Sequence, residues 1–118
     1  REEYEYAREN RIKAFSAVDV FSLGIEKIMQ EIRDSVKGPV YLSIDMDAID
    51  PAYAPALGTP EPYGLTPRDV RTVISCLARS IVGFDVVEIT PAYDSGGTAL
   101  LGARLVRDFI AASAKARA

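Results

Sequence analysis

One segment, VYLSIDMDAIDP at residues 40–51, constrains the fold more than any other part of the sequence. Its first five residues, Val40–Ile44, are almost uniformly apolar, which is typical of a strand in a parallel sheet with helices on both faces. Three aspartates, Asp45, Asp47 and Asp50, follow directly. Because residues two apart in an extended strand point to the same side, we expect Asp45 and Asp47 to project together, roughly 7 Å apart along the chain.

The rest of the chain alternates between helical and strand-like patterns. Helices are predicted over Glu2–Asn10, from a cap at Ser22 through Val36, from a cap at Thr66 through Ala78, and from Thr98 onward. Strands are predicted over Lys13–Phe21, Val40–Ile44 and Ile81–Ile89. This order predicts an α/β fold, with helices layered over a parallel sheet. Three strands make a thin sheet, so we expect further strands to flank them.

Individual residues mark several boundaries. Lys37-Gly38-Pro39 should end the second helix, because glycine suits the position after a helix and proline cannot continue it. Thr66-Pro67-Arg68-Asp69 combines a threonine cap, a proline in the first turn and an acid that reaches back to the cap. The inner side of the last helix is expected to carry Gly102, Leu105, Val106, Phe109 and Ile110.

Composition excludes several classes of function. The net charge of -3 provides no basic field for nucleic acid, and the apolar runs are far shorter than the ~20 residues of a membrane-spanning helix. We therefore expect a soluble, cytoplasmic protein in which Cys76 is a small core residue. Histidine is absent, which removes the commonest acid–base catalyst. The chain begins with Arg1 rather than methionine, and we expect a fragment of a longer protein.

Acids are predicted to meet at one rim of the sheet. In a parallel sheet, ligands bind beyond the carboxyl ends of the strands, where Asp45 and Asp47 follow one strand and Glu88 ends the next. Crowded carboxylates repel one another, and a cation resolves the repulsion; oxygen ligands favour Mg²⁺ or Mn²⁺. The alternative is that these are ordinary strand-end residues, with Asp50-Pro51 starting a turn. The long loop Pro51–Leu65 favours a functional site.

Longer motifs resemble those of a known family. The segment from Ser43 to Pro51 resembles the S-x-D-x-D-x-x-D-P signature of the ureohydrolases, the agmatinase and arginase family. The resemblance continues in Pro55–Pro60, Gly64-Leu65, Glu88–Pro91, Asp94 and Thr98-Ala99. It implies an arginase-like fold, a three-layer α/β/α arrangement with a parallel sheet. Residues 1–118 would be the C-terminal portion of a single ureohydrolase domain, whose N-terminal part lies outside the chain.

The resemblance also implies a site. Two Mn²⁺ ions would share a bridging hydroxide that attacks the guanidinium carbon and expels urea and an amine. Asp45 would bridge both ions, Asp47 would bind one of them, and Glu88 would receive the substrate guanidinium. Asp50 would orient the ligands from outside the metal shell, and Thr59 would form a hydrogen bond near the substrate.

The favoured substrate is agmatine, which would give urea and putrescine, and the resemblance implies a homo-oligomer. Glu61, between two prolines, favours an agmatinase, although arginase or guanidinobutyrase specificity stays open. The family's earlier D-A-H-x-D motif and its histidines are not in this sequence. We therefore expect the isolated chain to bind metal weakly and to be inactive. Asp85 is a weaker candidate for an outer position, with pairing to a backbone N–H or an arginine as its alternative.

Two other functions are compatible with the sequence. One is a non-catalytic, truncated relative that serves assembly or regulation, which the absence of histidine favours for this chain alone. The other is a Mg²⁺-binding α/β domain for a phosphate-bearing ligand, which the lack of a glycine-rich loop after a strand disfavours.

Overall fold

Five α-helices and two β-strands make up residues 2–118, the part of the chain that the computed structural model describes. The elements are α1 (Glu2–Glu9), α2 (Ala17–Leu23), α3 (Ile25–Ser35), β1 (Val40–Asp45), α4 (Pro67–Leu77), β2 (Ile81–Val87) and α5 (Gly97–Arg117). Short 3₁₀ turns follow each strand, at Met46–Ala48 and Pro91–Tyr93.

The sheet consists of β1 and β2, which run parallel and are joined through α4. Ser43 pairs with Asp85 and Asp45 pairs with Val87, so both strands end at the same edge. The predicted α/β class with a parallel sheet is confirmed. The expectation of three strands is wrong for residues 2–118, which contribute two.

The predicted strand Lys13–Phe21 is wrong, because its second half is helical. The Ser16 hydroxyl accepts a hydrogen bond from the backbone N–H of Asp19 at 3.2 Å, and the Asp19 carboxylate accepts one from the Ser16 N–H at 2.7 Å. This reciprocal capping satisfies N–H groups that a helix start leaves free, and it favours α2 over a strand. Val18 and Phe21, apolar residues that suggested a strand, are 72% and 93% exposed.

A glycine, rather than the predicted Ser22 cap, separates α2 from α3. Ser22 lies inside α2, and Gly24, with φ of 83°, is the residue before α3. That backbone conformation suits glycine, which has no Cβ to clash, so the chain can turn between two consecutive helices. The predicted buried face of α3 is confirmed at Ile25, Ile28 and Met29.

The apolar core lies on one face of the sheet, against α3, α4 and α5. Ile44 of β1 is buried there, and the Phe84 ring of β2 stacks on the Phe109 ring of α5 with centroids 4.3 Å apart. Alternation along β1 directs Tyr41 and Ser43 to the opposite face, where both are exposed. Residues 2–118 therefore supply two of the three layers expected for the complete fold.

Well-defined contacts hold the start of α4 and the end of α5. The Thr66 cap of α4 is confirmed, since its hydroxyl accepts from the Asp69 N–H and the Asp69 carboxylate accepts from the Thr66 N–H. At the C-terminal end of α5, the Arg117 guanidinium donates to the Ile81 carbonyl at 3.1 Å. No helix within residues 2–118 combines the length and the apolar character needed to cross a membrane.

The inner side of α5 is narrower than the sequence predicts. Gly102 and Leu105 are buried, whereas Val106 and Ile110 are 37% and 60% exposed. At 3.6 residues per turn these two positions are rotated to one side of the buried line formed by Thr98, Gly102 and Leu105, so their expected burial is wrong for residues 2–118.

Candidate active site

The candidate site begins where β1 ends, at Asp45. The strand does not continue to Asp47, which lies in a 3₁₀ turn, and the prediction that both aspartates project from one side of a strand is wrong. The Oδ1 atom of Asp45 accepts a hydrogen bond of 2.9 Å from the Asp47 N–H, which bends the backbone. Burial of Met46 and Ile49, both 0% exposed, draws the same turn into the core.

Asp47 is half-buried, and its two carboxylate oxygens have different surroundings. Oδ2 accepts a hydrogen bond from the Thr59 hydroxyl. Oδ1 is buried and has no hydrogen-bond partner among residues 2–118. A buried acceptor without a partner lowers the stability of the folded state by about 1–3 kcal/mol, and by more when the acceptor is charged. A group outside these residues, such as a cation, would offset that cost.

Glu88 follows β2 directly and lies beside the loop that carries Thr59. Its φ of 63° is in the left-handed region, which costs a non-glycine residue about 1–3 kcal/mol. The chain turns there, and the next residue, Ile89, forms an antiparallel bridge with Leu57. A Cβ built on Gly58 would lie 3.8 Å from Oε2 of Glu88. The exposed carboxylate of Glu88 therefore lies beside the backbone of Gly58. The next residue, Thr59, is the one that forms a hydrogen bond with Asp47.

Asp50 holds together the two ends of the long loop Pro51–Leu65. Its Oδ1 accepts from the Ala52 N–H at 2.8 Å, and its Oδ2 accepts from the Tyr63 N–H at 2.6 Å. These backbone donors, that of Ala52 above all, lower the pKa of Asp50. A Cβ at Gly64 would lie 2.6 Å from the Asp50 nitrogen, so only glycine allows the loop ends to approach this closely. Both oxygens of Asp50 thus hold the loop.

Asp85 lies on the exposed face of the sheet and binds hydroxyl groups, not the backbone N–H or arginine that was its alternative. It accepts from the Ser43 hydroxyl at 2.7 Å and from the Tyr41 hydroxyl at 2.5 Å. These bonds, that of Ser43 first, lower the pKa of Asp85, and the same contact with Asp85 raises the pKa of Tyr41. Ser43 is two residues before Asp45 on the same side of β1, so Asp85 adds negative charge near the site.

Asp94, between β2 and α5, and Thr98, in the first turn of α5, have a structural role that was not predicted from the sequence. The Asp94 carboxylate accepts from the Gly96 N–H and from both the N–H and the hydroxyl of Thr98. The Thr98 hydroxyl in turn accepts from the Ala56 N–H of the loop. An aspartate shortly before an apolar-periodic helix signals a helix start. That signal would have identified Asp94 as a capping residue, although not its connection to the loop.

The donor atoms at this edge fit a hard divalent cation in kind. Carboxylate oxygens suit Mg²⁺ and Mn²⁺, and one of them, Oδ1 of Asp47, is buried without a partner in the described chain. The side chains at this edge are fewer than a complete metal site needs. Within residues 2–118, no three side chains of His, Cys, Asp or Glu are grouped so that they could hold a metal ion. Asp45 and Asp47 would therefore contribute part of a ligand set.

Known proteins resemble this chain along nearly its whole length. The guanidino acid hydrolase of Homo sapiens is 42% identical over 115 residues, which are 95% of this chain and 33% of that protein. The agmatinase of Gallus gallus is 43% identical over 110 residues, 91% of this chain and 32% of that protein. The chain thus spans about a third of the length of these relatives.

The fold comparison agrees with the sequence comparison. The crystal structure of the agmatine ureohydrolase of Thermoplasma volcanium matches with a TM-score of 0.82 and 51% identity, covering 85% of this chain and 34% of that one. The predicted arginase-like fold is therefore confirmed for this portion. The model of the arginase family matches residues 1–112. A match over so much of the sequence, together with the fold, shows that this chain belongs to the arginase family.

Proposed function

We propose that the protein containing this chain is a ureohydrolase that cleaves a guanidino compound, with agmatine as the leading candidate, into urea and an amine. One observation carries the proposal: the loop residues Gly58 and Thr59 connect the Glu88 carboxylate to the Asp47 carboxylate at one edge of the sheet. The site thus combines a potential metal ligand with a separate anionic group. A reaction on a cationic guanidinium needs both.

Asp45 and Asp47 would hold Mn²⁺ together with ligands from outside residues 2–118. Bound manganese ions would supply a nucleophilic water at neutral pH, because divalent ions lower the pKa of water. Thr59 supports this role by donating to Oδ2 of Asp47, which leaves the buried Oδ1 free to bind a cation. Asp45 is oriented by the Asp47 N–H, which binds its Oδ1.

Glu88 would bind and orient the substrate. A carboxylate has two oxygens in a plane, and they match two parallel N–H donors of a planar guanidinium. The left-handed backbone of Glu88 fixes where this carboxylate leaves the strand end. Strained residues of this kind cluster at ligand-binding sites, which is consistent with a role in substrate binding. Asp50 would shape the loop through its bonds to Ala52 and Tyr63.

Names of relatives support two substrate classes. A relative named agmatinase and a structure titled agmatine ureohydrolase support agmatine. The human relative, at similar identity, is named a guanidino acid hydrolase, which makes a guanidino acid the second candidate. A cytoplasmic location remains our prediction, although both relatives are named as mitochondrial proteins. A homo-oligomer, and inactivity of the isolated chain, also remain predictions.

Urea release by the complete protein tests the proposal. Mn²⁺-dependent release should be fastest with agmatine when agmatine, arginine and guanidinobutyrate are compared. Glu88→Gln removes the charge that binds the guanidinium, a loss of about 1.5–3 kcal/mol, which is roughly 10- to 150-fold in kcat/KM. Bound manganese should be unchanged in this variant. Glu9→Gln, at an exposed acid of α1 outside the loop, is the matched control and should behave as wild type.

Two outcomes would contradict the proposal. If the manganese-loaded complete protein released urea from none of the three compounds, a non-catalytic assembly or regulatory module would be the better explanation. If Glu88→Gln turned over substrate as fast as Glu9→Gln, the guanidinium-binding role of Glu88 would be wrong.

A further inference from the structure

We infer that Asp94 and Thr98 are positioning residues that hold the substrate loop in register with the candidate metal site. The inference rests on the proposed function. We call Asp94, Thr98 and the backbone of Ala56 the loop clamp. These residues lie outside the strand-end cluster of acids, and they would act on it through the loop.

Thr98 is the centre of the loop clamp. It is 0% exposed, and its hydroxyl accepts from the Ala56 N–H at 3.0 Å while donating to Oδ2 of Asp94 at 2.8 Å. The same Asp94 oxygen accepts from the Thr98 N–H at 2.8 Å, and the other accepts from the Gly96 N–H at 2.7 Å. The carboxylate therefore orients the hydroxyl so that its lone pair faces Ala56.

Ala56 is held from both sides. Its N–H binds Thr98 at the start of α5, and its carbonyl accepts from the Thr90 N–H at 2.9 Å, just after β2. The next loop residue, Leu57, is fully buried and bridges to Ile89. Three consecutive contacts thus attach the loop to the region between β2 and α5.

These contacts lie directly before the functional positions of the loop. Gly58 is beside the Glu88 carboxylate, and Thr59 donates to Asp47. Gly58 and Thr59 follow Ala56 by two and three residues. A shift of the Ala56 backbone would therefore displace Thr59 relative to Asp47 and change the orientation of that carboxylate.

Close packing of α5 supports the same role independently. A Cβ at Gly102 would lie only 2.7 Å from Cδ1 of Ile89, so the Ile89 side chain packs into the space that the glycine leaves open on α5. Thr98 is one turn before Gly102 on α5. The start of α5, which carries Thr98 of the loop clamp, therefore packs next to Ile89, the residue that bridges to Leu57 of the loop.

Thr98→Val in the complete protein tests the inference, since valine keeps the shape and loses the hydroxyl. Its affinity for Mn²⁺ and its kcat should each fall about 10-fold, as for other residues that orient metal ligands. Deuterium uptake over residues 54–59 should rise. Thr98→Ser keeps the hydroxyl and should restore all three quantities to near wild type.

Two control variants separate positioning from general destabilisation. Thr72→Val makes the same chemical change on α4, outside the clamp, and should leave affinity, kcat and uptake unchanged. Met29→Ala removes a buried core side chain on α3 and should lower Tm while preserving the Mn²⁺ affinity of the folded protein. A Met29→Ala protein that lost affinity as Thr98→Val does would overturn the inference.

Other results distinguish this inference from the proposed function. Thr98→Val with wild-type Mn²⁺ affinity and kcat would overturn the positioning role and leave the ureohydrolase proposal intact. A wild-type protein that released no urea would overturn the proposed function. Manganese affinity and deuterium uptake of Thr98→Val would still decide whether the loop clamp positions the metal ligand.

Discussion

The hydroxyl of Thr59 donates a hydrogen bond to Oδ2 of Asp47, joining the long loop to the turn that follows β1. The two residues are twelve positions apart in the sequence. Their contact leaves the second Asp47 oxygen buried and unpartnered within residues 2–118. The orientation of a proposed metal ligand thus depends on a loop residue that is exposed to solvent.

Loss of the Thr59 hydroxyl should weaken metal binding without abolishing it. In Thr59→Val, Asp47 loses the donor that orients its carboxylate, and we expect the Kd for Mn²⁺ to rise about 10-fold. Isothermal titration of the complete protein measures this change. Thr59→Ser is the control and should bind as wild type does. Equal affinity of the valine and serine variants would contradict the role of the hydroxyl.

Removal of the Asp47 carboxylate should have a larger effect. Asp47→Ala eliminates a ligand together with the buried charge, so Mn²⁺-dependent urea release should be lost. Metal content after dialysis and the rate of urea release are the measurements. Full Mn²⁺-dependent turnover by Asp47→Ala would show that the metal assignment is wrong.

The two serines around α2 should respond differently to alanine. Ser16 caps the helix through the Asp19 N–H, and Ser16→Ala should lower the free energy of unfolding by about 0.5–2 kcal/mol. Ser22 lies within α2 with its side chain exposed to solvent, and Ser22→Ala should change the free energy of unfolding by less than about 0.5 kcal/mol. Urea unfolding compares the pair. Equal losses would contradict the helix start at Ser16.

Gly64 should not tolerate a side chain. An added Cβ would lie 2.6 Å from the Asp50 nitrogen and 2.8 Å from the Ala48 carbonyl oxygen, both backbone atoms that cannot rotate away. Gly64→Ala should therefore lower the free energy of unfolding by about 1–3 kcal/mol. Gly97→Ala is the matched control, because its Cβ would meet its nearest neighbour at an ordinary 3.5 Å. Similar stability of the two variants would be inconsistent with this loop closure.

Stability in acid should depend on Asp94. Bonds from the Thr98 N–H, the Thr98 hydroxyl and the Gly96 N–H, in that order, hold the pKa of Asp94 below its ordinary value of 3.8. A carboxylate with a lowered pKa in the folded state contributes stability above its unfolded pKa and loses it as the pH falls through the folded pKa. Asp94→Asn should therefore lose less stability than wild type as the pH falls below 3.8.

Chemical unfolding at a series of acidic pH values measures this difference. The dependence should decrease but not vanish, because the pKa values of Asp50 and Asp85 are lowered too. Identical pH dependence in Asp94→Asn and wild type would contradict the lowered pKa of Asp94 in the folded protein.

Features that depend on neighbouring residues were predicted from the sequence. The Thr66 cap requires only Asp69, three positions later, and the apolar run from Val40 identifies β1 without any distant partner. The acids at the strand end were identified in the same way. The long motif that contains them indicates the arginase family through consecutive residues alone. Local hydrogen bonds and hydrophobic patterning involve contiguous residues, so the sequence contains the information directly.

Features that depend on distant contacts were decided by the tertiary structure. Asp47 leaves the strand direction because Met46 and Ile49 are buried on either side of it. The Thr98 hydroxyl meets Ala56 across 42 positions, and no local pattern in either segment indicates the other. Sequence by itself determined which residue types meet at the edge of the sheet. Contacts of the loop Pro51–Leu65 with the segment after β2 and with the start of α5 determined how these side chains are oriented. The direction of a side chain depends on its backbone, and contacts between residues far apart in the sequence fix that backbone.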